Sequence, residues 1–363
     1  MEKKIKLLCI SRKYYPSLGG IQTFCASVFS RINSNEFDVT MLVLGKSQTH
    51  LLWFLPYVCI YLIFNARKYD AIFVGDLLMC ITGYICKKVS PKTKRLVAVH
   101  GLDITYNNRL YQWYIRRYAG RSFDLYACNS EATRQLLNER CISKAIVIPS
   151  GVDKMRYIGL QRNKEAFLEE LGQEKNKIII LTAGRLIKRK GVNWFVENVM
   201  PSLPDNILYL VVGDGPDREM IQQSIRKLNL EKKILMITDA SDETLNKCYM
   251  NADVFVMPNI RVENDMEGFG LVAVEASLAG NMVIASNVDG ISTAVIDGKN
   301  GYLVESRNRQ AFCEKINQVL QEHNNSEARR RVAEFTAEHF DWSIVTKRYE
   351  DALRELMKNG VYA

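Results

Sequence analysis

No Cys-x-x-Cys pair occurs in this chain, although it carries nine cysteines, at positions 9, 25, 59, 80, 86, 128, 141, 248 and 313. An odd count without regular spacing excludes a disulfide framework and a zinc ribbon. It fits buried thiols in a reducing compartment. Histidine is scarce, with four residues at 50, 100, 323 and 339. There is neither a P-loop nor a Gly-x-Gly-x-x-Gly fingerprint. No internal repeat or low-complexity segment stands out. The longest apolar stretch, Leu51–Phe64, has fourteen residues and an internal proline, short of the roughly 20 that span a bilayer. The apolar run Ile5–Ile10 is too short for a signal-peptide core and has no cleavage site after it, so it reads as a first β-strand.

What is present is a chain of 363 residues, 47% hydrophobic and 25% charged, with a net charge of +9. That length suits two domains of ordinary size and that composition a soluble globular protein. The charge is unevenly spread. Residues 1–160 hold 23 Lys+Arg and 10 Asp+Glu, the remainder 26 and 30. Basic residues gather at Lys87–Arg95 and at Arg109, Arg116, Arg117 and Arg121. They serve either solubility or a face for anionic lipid or a phosphorylated acceptor. No nucleic-acid motif accompanies them, so nucleic acid is not an expected partner. Leu51–Phe64 reads as a buried crossover helix or as a segment dipped into a membrane interface.

Short apolar runs alternate with longer amphipathic ones. Strands are expected at Lys6–Ile10, Val39–Leu44, Ala71–Val74, Arg95–Val99, Leu125–Cys128 and Ala145–Ile148. A second series follows at Ile178–Ala183, Leu208–Val212, Ile234–Ile237, Val254–Met257, Met282–Ala285 and Gly301–Val304. The alternation predicts parallel sheets flanked by helices, and twelve strands predict two doubly wound domains rather than one. The break is expected within residues 155–175. In such sheets ligands gather at the carboxyl ends of strands.

Candidate site residues fall just after strands. Gly19-Gly20 precedes a helix and allows close backbone approach to a phosphate, or is a plain turn. His100 follows the strand Arg95–Val99 and can donate to a sugar hydroxyl, or is a structural histidine. Gly184-Arg185-Leu186-Ile187-Lys188-Arg189-Lys190-Gly191 places Arg185 and Lys190 where a folded-back turn brings a guanidinium fork and an ammonium onto one diphosphate. Gly213-Asp214-Gly215-Pro216-Asp217 reads as a structural helix start. Glu267 and Glu275 flank a glycine turn and an apolar helix, whose N-terminus offers the backbone N–H groups of Phe269, Gly270 and Leu271 to an anion. Two carboxylates there suit hydroxyl groups, so the ligand is expected to carry phosphate and sugar together. Glu275, inside an apolar helix, is expected to face that ligand.

In this order, Gly-Gly, the mid-domain histidine, Gly-Arg-Leu-x-x-x-Lys-Gly and Glu-x7-Glu, with Ser150-Gly151-Val152-Asp153 and Gly213-Asp214-Gly215, resemble the retaining glycosyltransferases of family 4 (group 1), of the bacterial surface polysaccharide type. The resemblance covers nearly the whole chain. It implies an α/β GT-B fold, two doubly wound Rossmann-like domains facing across a cleft. Residues 1–160 would bind acceptor and 161–340 the nucleotide sugar. Residues 341–363, including Asp341-Trp342-Ser343, would form a C-terminal helix crossing back to the N-domain. It implies retaining transfer of a sugar from a UDP- or GDP-sugar, with no cofactor or metal required. Arg185 and Lys190 would hold the donor diphosphate, Glu275 the ribose and Glu267 the transferred sugar. Phe269, Gly270 and Leu271 would add backbone contacts, Gly19 and Gly20 would approach the diphosphate, and His100 would contact the sugar. Together with the basic N-terminal half, the resemblance implies a lipid-linked saccharide acceptor in O-antigen or capsule-like polysaccharide synthesis. The protein is expected in the cytoplasm, peripheral on the inner face of the membrane. The loop Asn259–Met266 and Thr238 depart from the family pattern. A sugar-nucleotide 2-epimerase and a non-catalytic carbohydrate- or nucleotide-binding module are the alternatives.

Overall fold

A computed structural model describes residues 3–16, 19–45, 48–323 and 325–359. The chain divides into two compact units. The first comprises residues up to Gly151, Asn264–Phe269 and those from Trp342 onward; the second comprises Val152–Glu263 and Gly270–Asp341.

The first unit contains strands β1 (Ile5–Ser11), β2 (Phe37–Val43), β3 (Ala71–Val74), β4 (Lys94–Val99), β5 (Leu125–Cys128) and β6 (Ala145–Val147). They form one sheet in the order β2-β1-β3-β4-β5-β6, with every pairing parallel. Its helices are α1 (Gly20–Arg31), α2 (Leu51–Asn65), α3 (Cys80–Val89), α4 (Leu102–Thr105), α5 (Arg109–Ser122) and α6 (Glu131–Glu139). The inner strands are buried on both faces, which is why each reads as a continuous apolar run rather than an alternating one. Leu7, Cys9, Phe73 and Ala98 point to one face, packed with Phe24 and Val28 of α1. Leu8, Ile10, Ile72 and Val97 point to the other, packed with Val58 of α2, Cys86 of α3 and Ile115 of α5.

The second unit contains α7 (Lys164–Glu170), β7 (Ile178–Ala183), α8 (Val192–Asn198), β8 (Ile207–Val212), α9 (Arg218–Lys227) and β9 (Ile234–Ile237). There follow α10 (Asp242–Asn251), β10 (Val254–Met257), α11 (Leu271–Leu278), β11 (Met282–Ser286), α12 (Ile291–Ala294), β12 (Gly301–Val304), α13 (Arg309–Glu322) and α14 (Ser326–Phe340). The strand order is β12-β11-β10-β7-β8-β9. Arg329 of α14 is buried and donates to the carbonyls of Ala252, Met250 and Ala279, tying α14 to the segments around α11.

The last helix, α15 (Trp342–Asn359), belongs to the first unit. Tyr349 stacks on Phe73, ring centroids 5.0 Å apart, and Glu350 accepts from the Asn33 amide at 2.7 Å. Arg354 forks onto both oxygens of Glu36 at 2.6 Å.

The structure departs from the expected boundaries in two places. The division follows Gly151, not 160, because Val152 bridges to Asp341 and the Lys154 amide donates to Asp341 Oδ2 at 3.1 Å. Asn264–Phe269, expected within 161–340, belongs to the first unit, where Gly268 lies against the backbone of His100. The reading of Leu51–Phe64 as a buried crossover helix also needs correction. The segment is a helix between β2 and β3, but only Val58 and Leu62 of it are buried. Among the described residues no helix is long and apolar enough to cross a membrane.

Candidate functional site

In the first unit, polar side chains converge at the carboxyl ends of β1, β3 and β4. Arg12, just past β1, pairs with buried Asp76 at 3.0 Å. Asp76 Oδ1 also accepts from the Leu78 amide, whereas its Oδ2 is buried with no hydrogen-bond partner. His100 donates its backbone N–H to Asp103 Oδ1 at 3.0 Å, and its Nε2 lies 2.9 Å from the Gly75 carbonyl. Its ring meets the Phe24 ring edge-on at 4.9 Å. The carbonyl contact requires a proton on Nε2, since a carbonyl only accepts. Burial pushes the Asp103 carboxyl up, and burial together with the Arg12 charge pulls the Lys13 ammonium down. Arg12, Asp76 and Asp103 were absent from the sequence-derived set. Their signal was positional, because each follows directly on a strand of that set.

Gly19 and Gly20 open α1. Gly19 has φ +147° and its carbonyl accepts from the Thr23 amide at 3.0 Å, while a Cβ on Gly20 would meet nothing within 4 Å. Gly20 therefore leaves open space beside the helix start. Glu267 is half-buried and Phe269 is buried. Between them, Gly268 sits so close to His100 that a Cβ would lie 2.3 Å from the His100 carbonyl oxygen. The Asn129 amide nitrogen approaches the same oxygen at 3.5 Å. The structure thus brings together the backbones that carry His100 and Glu267, which lie far apart in sequence.

In the second unit, the turn after β7 packs on the turn after β8. A Cβ on Gly213 would lie 2.1 Å from the Gly184 carbonyl oxygen, and one on Gly215 2.2 Å from that of Leu186. These glycines serve backbone contact as well as the entry to α9. Arg185 is exposed and, among the described residues, its side chain has no ion-pair or hydrogen-bond partner. Lys188–Lys190 forms one turn of 3-10 helix, closed by Gly191 at φ +66°. Gly191 abuts Pro258, and the Ile260 amide donates to the Arg189 carbonyl at 2.9 Å. The turn folds back so that Lys190 Cε lies 3.9 Å from the position a Cβ on Gly184 would take.

Gly270 caps α11 at φ +94°, and Leu271 is its first helical residue. The leading N–H groups of a helix have no intrahelical acceptor. Glu275 is 16% exposed and its carboxylate is engaged by protein. Arg156 donates to Oε1 at 2.5 Å and Tyr249 to Oε2 at 3.1 Å. Arg156 also donates to Asn246 at 2.8 Å, with its guanidinium 5.6 and 5.7 Å from the rings of Tyr157 and Tyr249. The expectation that only a ligand could account for a carboxylate here is therefore corrected. Arg156 accounts for it structurally, and a carboxylate's remaining lone pairs leave capacity for a further donor. Sequence reasoning missed Arg156 even though it lies three residues after Asp153, because nothing local marks a partner in α11.

Two doubly wound parallel sheets, with glycine turns and charged side chains at their strand ends, define an α/β protein of the class that takes its ligands at the carboxyl ends of strands. A family model described as Glycosyltransferase Family 4 matches residues 19–156, and one described as Glycosyl transferases group 1 matches residues 163–339. The chain belongs to the group 1 glycosyltransferases and has the GT-B fold. It is 27% identical to an uncharacterised glycosyltransferase of Methanocaldococcus jannaschii, over 93% of this chain and 96% of that one. It is 22% identical to the UDP-Gal:alpha-D-GlcNAc-diphosphoundecaprenol alpha-1,3-galactosyltransferase of Escherichia coli, covering 87% and 88%. Among solved structures, Anabaena HepE in complex with UDP matches with a TM-score of 0.77 and 18% identity, over 97% of this chain and 100% of that one. This last likeness is one of fold.

Proposed function

We propose that the protein transfers a sugar, with retention of anomeric configuration, from a UDP- or GDP-sugar to a lipid-linked saccharide in cell-surface polysaccharide assembly. The observation that carries this reading is the approach of Gly268 to the His100 carbonyl. It holds the Glu267 segment against His100, giving a hydrogen-bond acceptor and an imidazole for one sugar. Arg185 and Lys190 neutralise the leaving diphosphate, the kind of preorganised charge that stabilises a transition state. Glu275 takes the ribose through the lone pairs that Arg156 and Tyr249 leave. Leu271, with Phe269 and Gly270, offers backbone N–H groups, and Gly19 and Gly20 admit the diphosphate to α1. No cofactor is needed in this scheme. The lipid-linked acceptor is supported by the diphosphoundecaprenol substrate named for the E. coli relative and by the basic N-terminal half. On this reading the protein works at the cytoplasmic face of a membrane as a peripheral protein.

The test is nucleotide release from a panel of UDP- and GDP-sugars by the purified protein without acceptor. Slow release from one donor, abolished in Arg185→Ala and Glu267→Ala variants that keep their circular dichroism spectra, supports the reading. Wild-type release by both variants contradicts it.

A further inference from the structure

We propose that α2, with the basic carboxyl ends of α2, α3 and α5, is a docking face for an anionic lipid bilayer. The proposal deepens the lipid-linked-acceptor reading and rests on it for biological sense, but it uses no donor-site residue, so the two can fail separately.

The first observation is an uncovered apolar stripe. Leu52, Trp53, Tyr57, Ile60, Ile63 and Phe64 are all exposed, Trp53 at 79% and Phe64 at 77%. At 3.6 residues per turn these positions fall within an arc of about 140°. Val58 and Leu62, on the opposite side, are buried in the core, and Leu51, Phe54, Leu55 and Tyr61 pack against it partly buried. A helix apolar on all sides belongs in a core or a membrane. This one has its inner face in a core and its outer face in solvent. Six large side chains in one stripe exceed the scattered exposure usual for a surface, and such patches mark interaction sites.

The second observation is charge, carried by the same layer of helices. The α2, α3 and α5 helices cover one face of the sheet together. Arg67 donates to the Val89 carbonyl at 3.3 Å and Lys87 to the Arg121 carbonyl at 3.1 Å, which ties their carboxyl ends to one another. Arg67, Lys68, Lys87, Lys88 and Arg121 are exposed there. From residue 51 to 123 the only acidic residues are Asp70, Asp76 and Asp103, and none is exposed. An apolar stripe bordered by uniformly positive charge matches the two parts of a bilayer surface, acyl chains below and anionic headgroups at the rim. A second copy of the chain fits poorly. A twofold contact sets the same patch against itself, which here brings positive charge to positive charge.

The experiment is flotation of the full-length protein with vesicles of phosphatidylglycerol and phosphatidylcholine, and with phosphatidylcholine alone, carrying no saccharide. The wild type is expected to float with the anionic vesicles at low salt and to be released as salt rises. Trp53→Ser/Phe64→Ser should weaken partitioning about tenfold or more, as should Lys68→Ala/Lys88→Ala/Arg121→Ala. The affected side chains are exposed, so melting temperature and nucleotide release should stay at wild-type values, which separates lost docking from misfolding. Absence of wild-type binding to anionic vesicles at low salt overturns the proposal, as does unchanged binding by both variants. Light scattering that finds a wild-type dimer made monomeric by Trp53→Ser/Phe64→Ser also overturns it, because a second copy then covers the face. Vesicle binding without transfer to any lipid-linked saccharide refutes the acceptor reading and leaves docking standing.

Discussion

Replacing Arg156 with alanine removes the partner that holds Glu275. The guanidinium is 22% exposed and the carboxylate 16%. Breaking a fully buried pair costs about 3–5 kcal/mol and breaking an exposed one about 1 kcal/mol or less, so roughly 2 kcal/mol suits this intermediate burial. The contacts with the Tyr157 and Tyr249 rings are each worth about 0.5–1 kcal/mol. A loss of about 3 kcal/mol in a unit of this size lowers its melting temperature by roughly 6–12 °C. Calorimetry can read that shift in the transition of the second unit. Function responds differently. A freed Glu275 keeps its charge and its place on α11 but loses its fixed orientation. The donor KM should therefore rise about tenfold while kcat changes little, the pattern of lost uniform binding. Arg156→Lys should recover only part of this, since an ammonium cannot reproduce the fork to Glu275 and Asn246. A variant that melts with the wild type and keeps its KM refutes the reasoning. A lower KM refutes it differently, by showing that Arg156 competes with the donor for Glu275.

Other expected outcomes are as direct. Gly268→Ala puts a methyl group 2.3 Å from the His100 carbonyl oxygen, so donor turnover should fall at least about tenfold, measured as kcat for nucleotide release. Gly191→Ala combines φ +66° with a Cβ 1.9 Å from the Pro258 carbonyl oxygen, whereas Gly298→Ala at φ +70° meets nothing within 4 Å. The first should cost about 3 kcal/mol or more and the second about 1–2 kcal/mol, compared by thermal melting. Arg354 holds the Glu36 carboxyl below its ordinary range. Its stabilisation is therefore complete above about pH 4.3 and is lost as pH falls through the depressed value. Melting temperatures between pH 6 and pH 3 should fall less steeply in Glu36→Gln, by an amount that reflects about 1 kcal/mol or less for a surface pair.

All twelve strands among the described residues were legible, because a strand buried on both faces leaves a short unbroken apolar run such as Ile178–Ala183 or Val254–Met257. Two doubly wound sheets followed from the alternation with helices. What sequence could not convey was pairing at a distance. The strand orders, the Arg156–Glu275 ion pair and the membership of Asn264–Phe269 in the first unit all depend on which distant segments meet. Glycine illustrates the same limit. Gly213-Asp214-Gly215 reads locally as a helix start, and only the fold shows the backbone of Gly184 and Leu186 lying against it. The α2 helix was ambiguous for a physical reason. Apolar residues on every side specify a dry environment without saying whether protein or lipid supplies it.

Retaining transfer from a nucleotide sugar dictates which anomer donor hydrolysis releases first. Proton NMR of the purified protein with its preferred α-linked nucleotide sugar can detect the free sugar before mutarotation. The α-anomer should form first, and Glu267→Ala should form neither anomer above background. Initial release of the β-anomer contradicts retaining transfer.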